Sequence, residues 1–289
     1  MSTLRSARLT LEMIKWEHSI FALPFALTGA VLAGNGWPPW RVIVLVIVCM
    51  VAARSAGMAF NRLVDAEIDG RNPRTAARAL PAGLLGRGFV RLFIAVSCTV
   101  FLLAAWRLNP LTFALSPVAL ALVLAYSYTK RFTRWSHLVL GLVLGIAPAA
   151  AWIAVRGSLS APILVLTAAV MCWVAGFDVL YACQDCEFDR DAKLHSIPSA
   201  IGVGQAFWVA RTLHLLALIL LGALVPLFGL GPIAITGIAI VGLLLVYEHT
   251  LVSPGNLARL NAAFFTMNGL ISVVFFLFLA ADVFRRARH

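Results

Sequence analysis

Residues Trp40 to Gly70 read WRVIVLVIVCMVAARSAGMAFNRLVDAEIDG. The first two thirds form an apolar run long enough, at about 1.5 Å per helical residue, to cross the roughly 30 Å hydrocarbon core of a bilayer. The run then gives way to Asn61, Asp65 and Asp69, each four residues after the last. A spacing of four keeps side chains on one face of a helix, so the stretch predicts a membrane span that carries a polar stripe at one end.

The rest of the chain repeats the first half of that pattern. With 62% hydrophobic residues over 289 positions and a mean hydropathy of +0.94, it holds more apolar surface than one soluble core can bury. Apolar runs lie near 18–35, 40–60, 89–106, 111–128, 137–155, 162–182, 207–227, 231–250 and 262–281. Lipid leaves backbone groups no outside partner, so all nine are expected as α-helices. The predicted fold is all-α: nine transmembrane helices around a cytoplasm-facing cavity. No linker or low-complexity tract interrupts residues 1–289, which are read as one domain.

Arg5, Arg8 and Lys15 precede the first run, as in a signal peptide. The run is too long for one, opens on Glu17 and His18, and lacks a small-residue cleavage site. With the N-terminus inside, most of the 23 basic residues, Arg259 among them, fall in cytoplasmic loops. Only Arg41, Arg107, Arg156 and the tail arginines Arg285, Arg286 and Arg288 fall outside. The positive-inside rule therefore selects the orientation with the polar loops in the cytoplasm, and the expected location is a multi-pass position in the inner membrane of a prokaryote. The net charge of +11 is read as topology plus attraction to anionic membrane lipid, with no nucleic acid partner. The five cysteines sit in or beside apolar runs; Cys183 and Cys186 make a lone CxxC with no second pair, which argues against a metal knuckle. GLVLG, Gly141 to Gly145, reads as close helix packing.

Against this background the acids are placed with purpose. Of twelve, eight fall in two windows: Asp65, Glu67 and Asp69, then Asp178, Asp185, Glu187, Asp189 and Asp191. Asn61-x3-Asp65-x3-Asp69 is echoed by Tyr181-x3-Asp185-x3-Asp189, and a proline, Pro81 or Pro198, follows each motif. This reads as a weak internal duplication whose two polar loops are lips of one cavity. Like charges four apart repel along a helix unless a cation lies between them, so the stripes ask for a divalent metal. All-oxygen ligands favour a hard ion. Mg2+ in particular takes one or two carboxylates and fills its shell from water and phosphate, which assigns Asp65, Asp69, Asp185 and Asp189 as ligands.

Arg74 and Arg78 follow the first stripe, and Lys130 closes the fourth span in YSYTKR. Guanidinium forks and an ammonium suit the oxygens of a diphosphate. A diphosphate held in this way is a good leaving group, and on an allylic carbon its departure gives a delocalised carbocation. An apolar intramembrane chamber would shield that cation from water, and Tyr126 and Tyr181 can offer it their ring faces.

NRLVDAEIDGRNPRTAARALPAG, Asn61 to Gly83, resembles the first Asp-rich motif of the UbiA superfamily of intramembrane prenyltransferases. YACQDCEFDRDAKLHSIPSAIG resembles the second, and AYSYTKRFT is similar to the basic loop between them. The resemblance covers nearly the whole chain. It implies Mg2+-dependent transfer of a polyprenyl group from polyprenyl diphosphate to an aromatic acid, with Asn61, Asp65, Asp69, Asp185 and Asp189 holding metal and diphosphate. Arg74, Arg78 and Lys130 are then diphosphate partners. KWEHSIFALPFA and AGFDVLYACQDCEFDRDAKLHSIP look most like hydroxybenzoate polyprenyltransferases and their relatives in the futalosine route to menaquinone. Arg78-Ala79-Leu80-Pro81 departs from the common Arg-Pro-Leu-Pro.

Plainer readings stand beside these. The stripes can be helix-end carboxylates paired with arginines, Lys130 can be ordinary loop charge, and Arg131 and Arg134 are assigned to topology alone. Asp178 either shapes the aromatic pocket or pairs with a buried base, and it reads equally well as a structural carboxylate. Glu17 and His18 either reach the same mouth or anchor the interface. A secondary transporter would also use paired acids and an internal repeat, but its site belongs near the bilayer midplane, whereas these stripes sit at helix ends.

Overall fold

The computed structural model describes residues 3–15, 19–257, 260 and 263–288; Glu17, His18 and Arg259 lie outside them. A short helix α1 (Thr3–Ile14) leads into α2 (Ser19–Gly34) and α3 (Trp40–Val64), which a short α4 (Ala66–Arg71) extends. Four long helices follow: α5 (Arg87–Leu108), α6 (Pro110–Thr129), α7 (Ser136–Arg156) and α8 (Ala161–Ala182). A 3-10 turn, Cys183–Asp185, links α8 to α9 (Cys186–Asp191), and α10 (Ile197–Ile201) opens α11 (Val203–Phe228). The bundle closes with α12 (Pro232–Leu251), a π-helical turn Ala263–Met267 and α13 (Asn268–Arg286). No sheet strand occurs among the described residues.

The all-α expectation holds. Eight of the helices are long and apolar enough to cross a membrane, and α2, at 16 residues, is the short ninth. The boundaries follow local chemistry. Proline occupies the first turn of α6, α8 and α12, where its missing N–H costs nothing, and Gly157 and Gly229 end α7 and α11 in left-handed conformation. The last span lies further along than the sequence run of 262–281, because Asp282 and Arg286 continue the helix while bonding to their neighbours.

α8 is the axis of the bundle, packed against α7 on one side and α11 on the other. The GLVLG glycines make that approach possible: a methyl group on Gly145 would lie 2.8 Å from the Thr167 carbonyl oxygen, and one on Gly141 would meet the Met171 carbonyl still more closely. Phe25, Trp173, Phe177 and Phe275 pack ring against ring at centroid separations of 5.0–5.4 Å, stacked, tilted or edge-to-face, and tie α2, α8 and α13 together.

Consecutive spans alternate in direction, which sorts the connections by end. Residues 65–86, 130–135 and 183–202 gather at one end, here the mouth. At the far end, Asp282 accepts the amides of Gly231 and Ala234 at the start of α12, at 2.8 and 3.3 Å. Arg286 lies 3.1 Å from Asp282 and donates to the carbonyls of Phe228 and Gly229 at 3.0 and 2.6 Å, closing α11. This tail arginine, a dissenter from the charge pattern, is thus spent on exposed helix ends.

Candidate functional site

The first lip begins where α3 breaks. Asp65, at φ −92° and ψ 3°, is both the last cap of α3 and the first of α4. The stripe is therefore not one unbroken helix, but its backbone ladder runs on. The Asp65 amide donates to the Asn61 carbonyl at 2.9 Å, and the Asp69 amide to the Asp65 carbonyl at 2.7 Å. Asn61, Asp65 and Asp69 keep a common face, and the Asn61 side-chain amide donates to Asp65 Oδ2 at 3.0 Å. Asp65 is 1% exposed, with Lys130 Nζ 2.6 Å from Oδ2 and Arg131 3.3 Å from Oδ1. Arg78 places one guanidinium nitrogen 2.8 Å from both oxygens of Asp69, and Arg62 stands 3.9 Å away.

The second lip repeats the break. A 3-10 turn leads to Asp185 at φ −104° and ψ 8°, which caps a six-residue helix just as Asp65 does. This geometric match supports the internal duplication. Arg74 grips Asp185 with two parallel bonds, Nε to Oδ1 at 2.8 Å and Nη2 to Oδ2. Its guanidinium also lies 5.5 Å over the Tyr181 ring. Partial burial by itself would make the Arg74 cation harder to keep. The Asp185 hydrogen bond and charge outweigh that and raise its pKa above the ordinary value.

The lips are joined through Asn72. In the Asn72-Pro73-Arg74 turn its side-chain oxygen accepts the Arg74 amide at 2.9 Å, while its side-chain nitrogen donates to Asp185 at 2.9 Å. Asp189, the fourth acid, lies beside the Ser196 hydroxyl, and its backbone carbonyl accepts the Leu194 amide at 2.8 Å. The His195 amide donates to the Lys130 carbonyl at 2.7 Å, tying the loop after the second stripe to the end of α6.

Below the mouth, a cavity of about 500 Å3 runs between α3, α5, α6 and α7. Tyr126 and Arg54 line its wall on the mouth side, and Leu108, Thr112, Leu159 and Leu164 line it toward the far end. Leu115 and Val118 border it on α6 and are themselves exposed, so it opens sideways as well. Nearly all of the lining is apolar. Arg54 is the charged residue among those described that line it, and its Nε is enclosed without a hydrogen-bond partner. Tyr126 lines the cavity near the end of α6, four residues before Lys130.

All ten sequence-assigned residues are therefore at or just under one mouth: Asn61, Asp65, Asp69, Arg74, Arg78, Tyr126, Lys130, Tyr181, Asp185 and Asp189. Asp178 has a buried partner, His137, whose Nδ1 is 2.6 Å from its Oδ2. Arg131, assigned to topology, instead reaches Asp65 and the Val64 carbonyl, whereas Arg134 only stacks on Trp135 at 5.2 Å. The sequence reading also passed over Arg54, Arg62, Asn72 and His137. Arg54 carried a usable signal, a charge in the interior of an apolar run, seven residues before Asn61.

Among the described residues, no three histidine, cysteine, aspartate or glutamate side chains converge into a ready-made metal cage. The mouth instead offers dispersed carboxylates, each beside a basic or hydroxyl group. That donor set fits a hard cation that takes one or two carboxylates and completes its shell with phosphate oxygens.

The pattern of the UbiA prenyltransferase family matches residues 22–278. The 4-hydroxybenzoate octaprenyltransferase of Saccharophagus degradans is 32% identical over 254 residues, covering 87% of this chain and 83% of that one. The 4-hydroxybenzoate octaprenyltransferase of Aromatoleum aromaticum is 33% identical over 246 residues, covering 84% and 83%. Among solved structures, the apo form of a UbiA homologue from Aeropyrum pernix K1 superposes with a TM-score of 0.83 at 33% identity, over 92% of this chain and 98% of that one. A UbiA homologue from Archaeoglobus fulgidus bound to DMAPP and Mg2+ shares the fold at a TM-score of 0.75 and 19% identity, over 95% and 98%.

Proposed function

From the premise that this chain belongs to the UbiA prenyltransferase family, we propose that it transfers a polyprenyl group from polyprenyl diphosphate to the ring of an aromatic acid in respiratory quinone biosynthesis, ubiquinone or menaquinone. The acceptor is 4-hydroxybenzoate or a hydroxynaphthoate-like acid. One observation carries the reading: an apolar cavity of about 500 Å3 opens under a mouth where four aspartates and a set of cations face one another. A donor that is anionic at one end and a long hydrocarbon at the other fits that division. The names of the curated relatives supply the aromatic acid.

In this reading Asp65, Asp69, Asp185 and Asp189 hold Mg2+. When bound there, it offsets the negative charge that gathers on the departing diphosphate. Lys130, Arg74 and Arg78 bind the phosphate oxygens and stabilise the same charge from the protein side. The tail lies in the cavity, whose apolar walls exclude water while the allylic C–O bond breaks. Tyr126, with Tyr181 nearer the diphosphate, presents a ring face to the resulting cation. Arg54, with an enclosed and unpartnered guanidinium nitrogen, is placed to bind the acceptor carboxylate and hold the ring below the mouth. An electron-rich ring carbon forms the new C–C bond and then loses its proton to a basic oxygen at the mouth. The basic loops around the mouth support, by the positive-inside rule, a mouth that faces the cytoplasm of a prokaryotic cell, with the tail arginines as the one dissenting cluster.

Purified protein in detergent, given an all-trans polyprenyl diphosphate, 4-hydroxybenzoate and Mg2+, should yield the C-prenylated acid by mass spectrometry and none in excess EDTA. Undiminished product in EDTA would sink the metal assignment. Product from a hydroxynaphthoate alone would move the acceptor.

A further inference from the structure

His137 lies in none of the motifs, yet it is 4% exposed at the start of α7 and bonded at both ring nitrogens. The Ile197 amide can only donate, and it points at Nε2 at 3.3 Å. Nε2 is therefore the bare nitrogen, and the Nδ1 proton goes to Asp178 at 2.6 Å. One ring thus spans three elements: α7, which carries it; α8, which carries Asp178 seven residues before Asp185; and the segment leading into α10.

That segment is where the second lip meets the basic loop. The His195 amide donates to the Lys130 carbonyl at 2.7 Å, the Leu194 amide to the Asp189 carbonyl at 2.8 Å, and the Ile197 amide to His137. Ser196 is also held in a capping box with Ser199 at the start of α10. This segment links the Lys130 backbone to Asp189, and it is tied to the α7–α8 pair by the His137 ring and by the Ile197 side chain, which is buried in one cluster with Val179 and Leu180 of α8.

We propose that His137 is a positioning residue of the donor site: pinned by Asp178, it holds the Ile197 amide and so sets the spacing between Asp189 and Lys130 around the diphosphate. It touches neither substrate. The inference rests on the proposed function, which makes Asp189 and Lys130 donor-site residues, and adds a residue that this reading does not use.

The two bonds of the ring can be separated. Glutamine places its amide oxygen near the Nε2 position and can accept from Ile197. Asparagine ends near Nδ1, where it can serve Asp178 only. The readout is direct binding of geranyl S-thiolodiphosphate, an uncleaved allylic analogue, with Mn2+ by isothermal titration in detergent, together with KM for donor and acceptor.

The expected result is that H137Q binds within about twofold of wild type, H137N loses about tenfold, and the acceptor KM is unchanged in both. I197P removes the donor from the other side at a first-turn helix position where proline is accommodated. It should reproduce the loss, and the H137N/I197P double variant should lose no more than the larger of the two single losses. Equal binding by H137Q and H137N, or losses that add in the double variant, would overturn the inference. Should the His137 variants fail to stay monodisperse, I197P is read against I197A, which loses the same buried side chain but keeps the amide: equal affinities overturn the inference, and a tenfold loss in I197P relative to I197A with unchanged acceptor KM supports it. If the wild type binds no analogue, the proposed function falls and this inference with it; if it binds and the variants do not discriminate, this inference falls alone.

Discussion

Asp65 and Asp185 occupy the same place in the two halves of the molecule, at nearly the same backbone angles, before short helices of equal length. Their surroundings differ. Asp65 is sealed, its side chain 2% exposed and held by Asn61 from its own helix and by Lys130 and Arg131 from the α6–α7 connection. Asp185 is more open at 17%, and its partners Arg74 and Asn72 both come from the loop behind the first stripe. The first lip supplies the cation of the second, and the loop after the second lip supports the backbone of Lys130, the cation of the first. Each of the two matched motifs is thus braced by residues of the other.

The largest effects should fall on the acids, and they should separate the sealed one from the open one. Asp65→Ala and Asp185→Ala are each expected to lower turnover by about 10^2 to 10^3-fold, the range found when a preorganised charge is removed from a reacting centre. Only Asp65→Ala should also lower the thermal midpoint in detergent clearly, because it leaves an ammonium and a guanidinium facing a buried gap. Equal midpoints for the two variants would mean that the difference in burial has no energetic weight.

Arg74→Ala comes next, since it acts on both lips. It should raise the donor KM about tenfold or more while the acceptor KM stays within about twofold, and Arg74→Lys should recover little because an ammonium cannot form the two parallel bonds to Asp185. Full recovery by lysine would reduce Arg74 to a point charge.

The smallest effects grade the basic loop. Lys130→Ala should weaken donor binding or slow ionisation by about tenfold, Arg131→Ala by about threefold through its share of Asp65, and Arg134→Ala by less than about twofold. Steady-state constants for both substrates across the three variants test the order. Equal values for Lys130→Ala and Arg134→Ala would return Lys130 to ordinary loop charge.

The spans were readable because a run of eighteen or more apolar residues has few alternatives to crossing a bilayer. The acids were readable because a four-residue spacing shows through any helix, even one that breaks at Asp65. The roles of His137, Asn72 and Arg131 were not. Each depends on a partner from another element, Asp178, Asp185 and Asp65 respectively, and linear spacing carries no information about which loops meet. Arg134 and Arg131 look alike in the sequence, and only the fold turns one toward Trp135 and the other toward Asp65.

The sideways opening at Leu115 and Val118 bears on how the enzyme should be assayed. A hydrocarbon tail that enters and leaves there passes between protein and lipid without an aqueous stage, so the protein meets its donor as a two-dimensional solute. Saturation should then follow the mole fraction of isoprenoid in the membrane or micelle, not its amount per litre. Adding inert lipid at constant total donor should slow the reaction by dilution within the surface, and the same donor affinity should take different numerical values in two detergents of different micelle content.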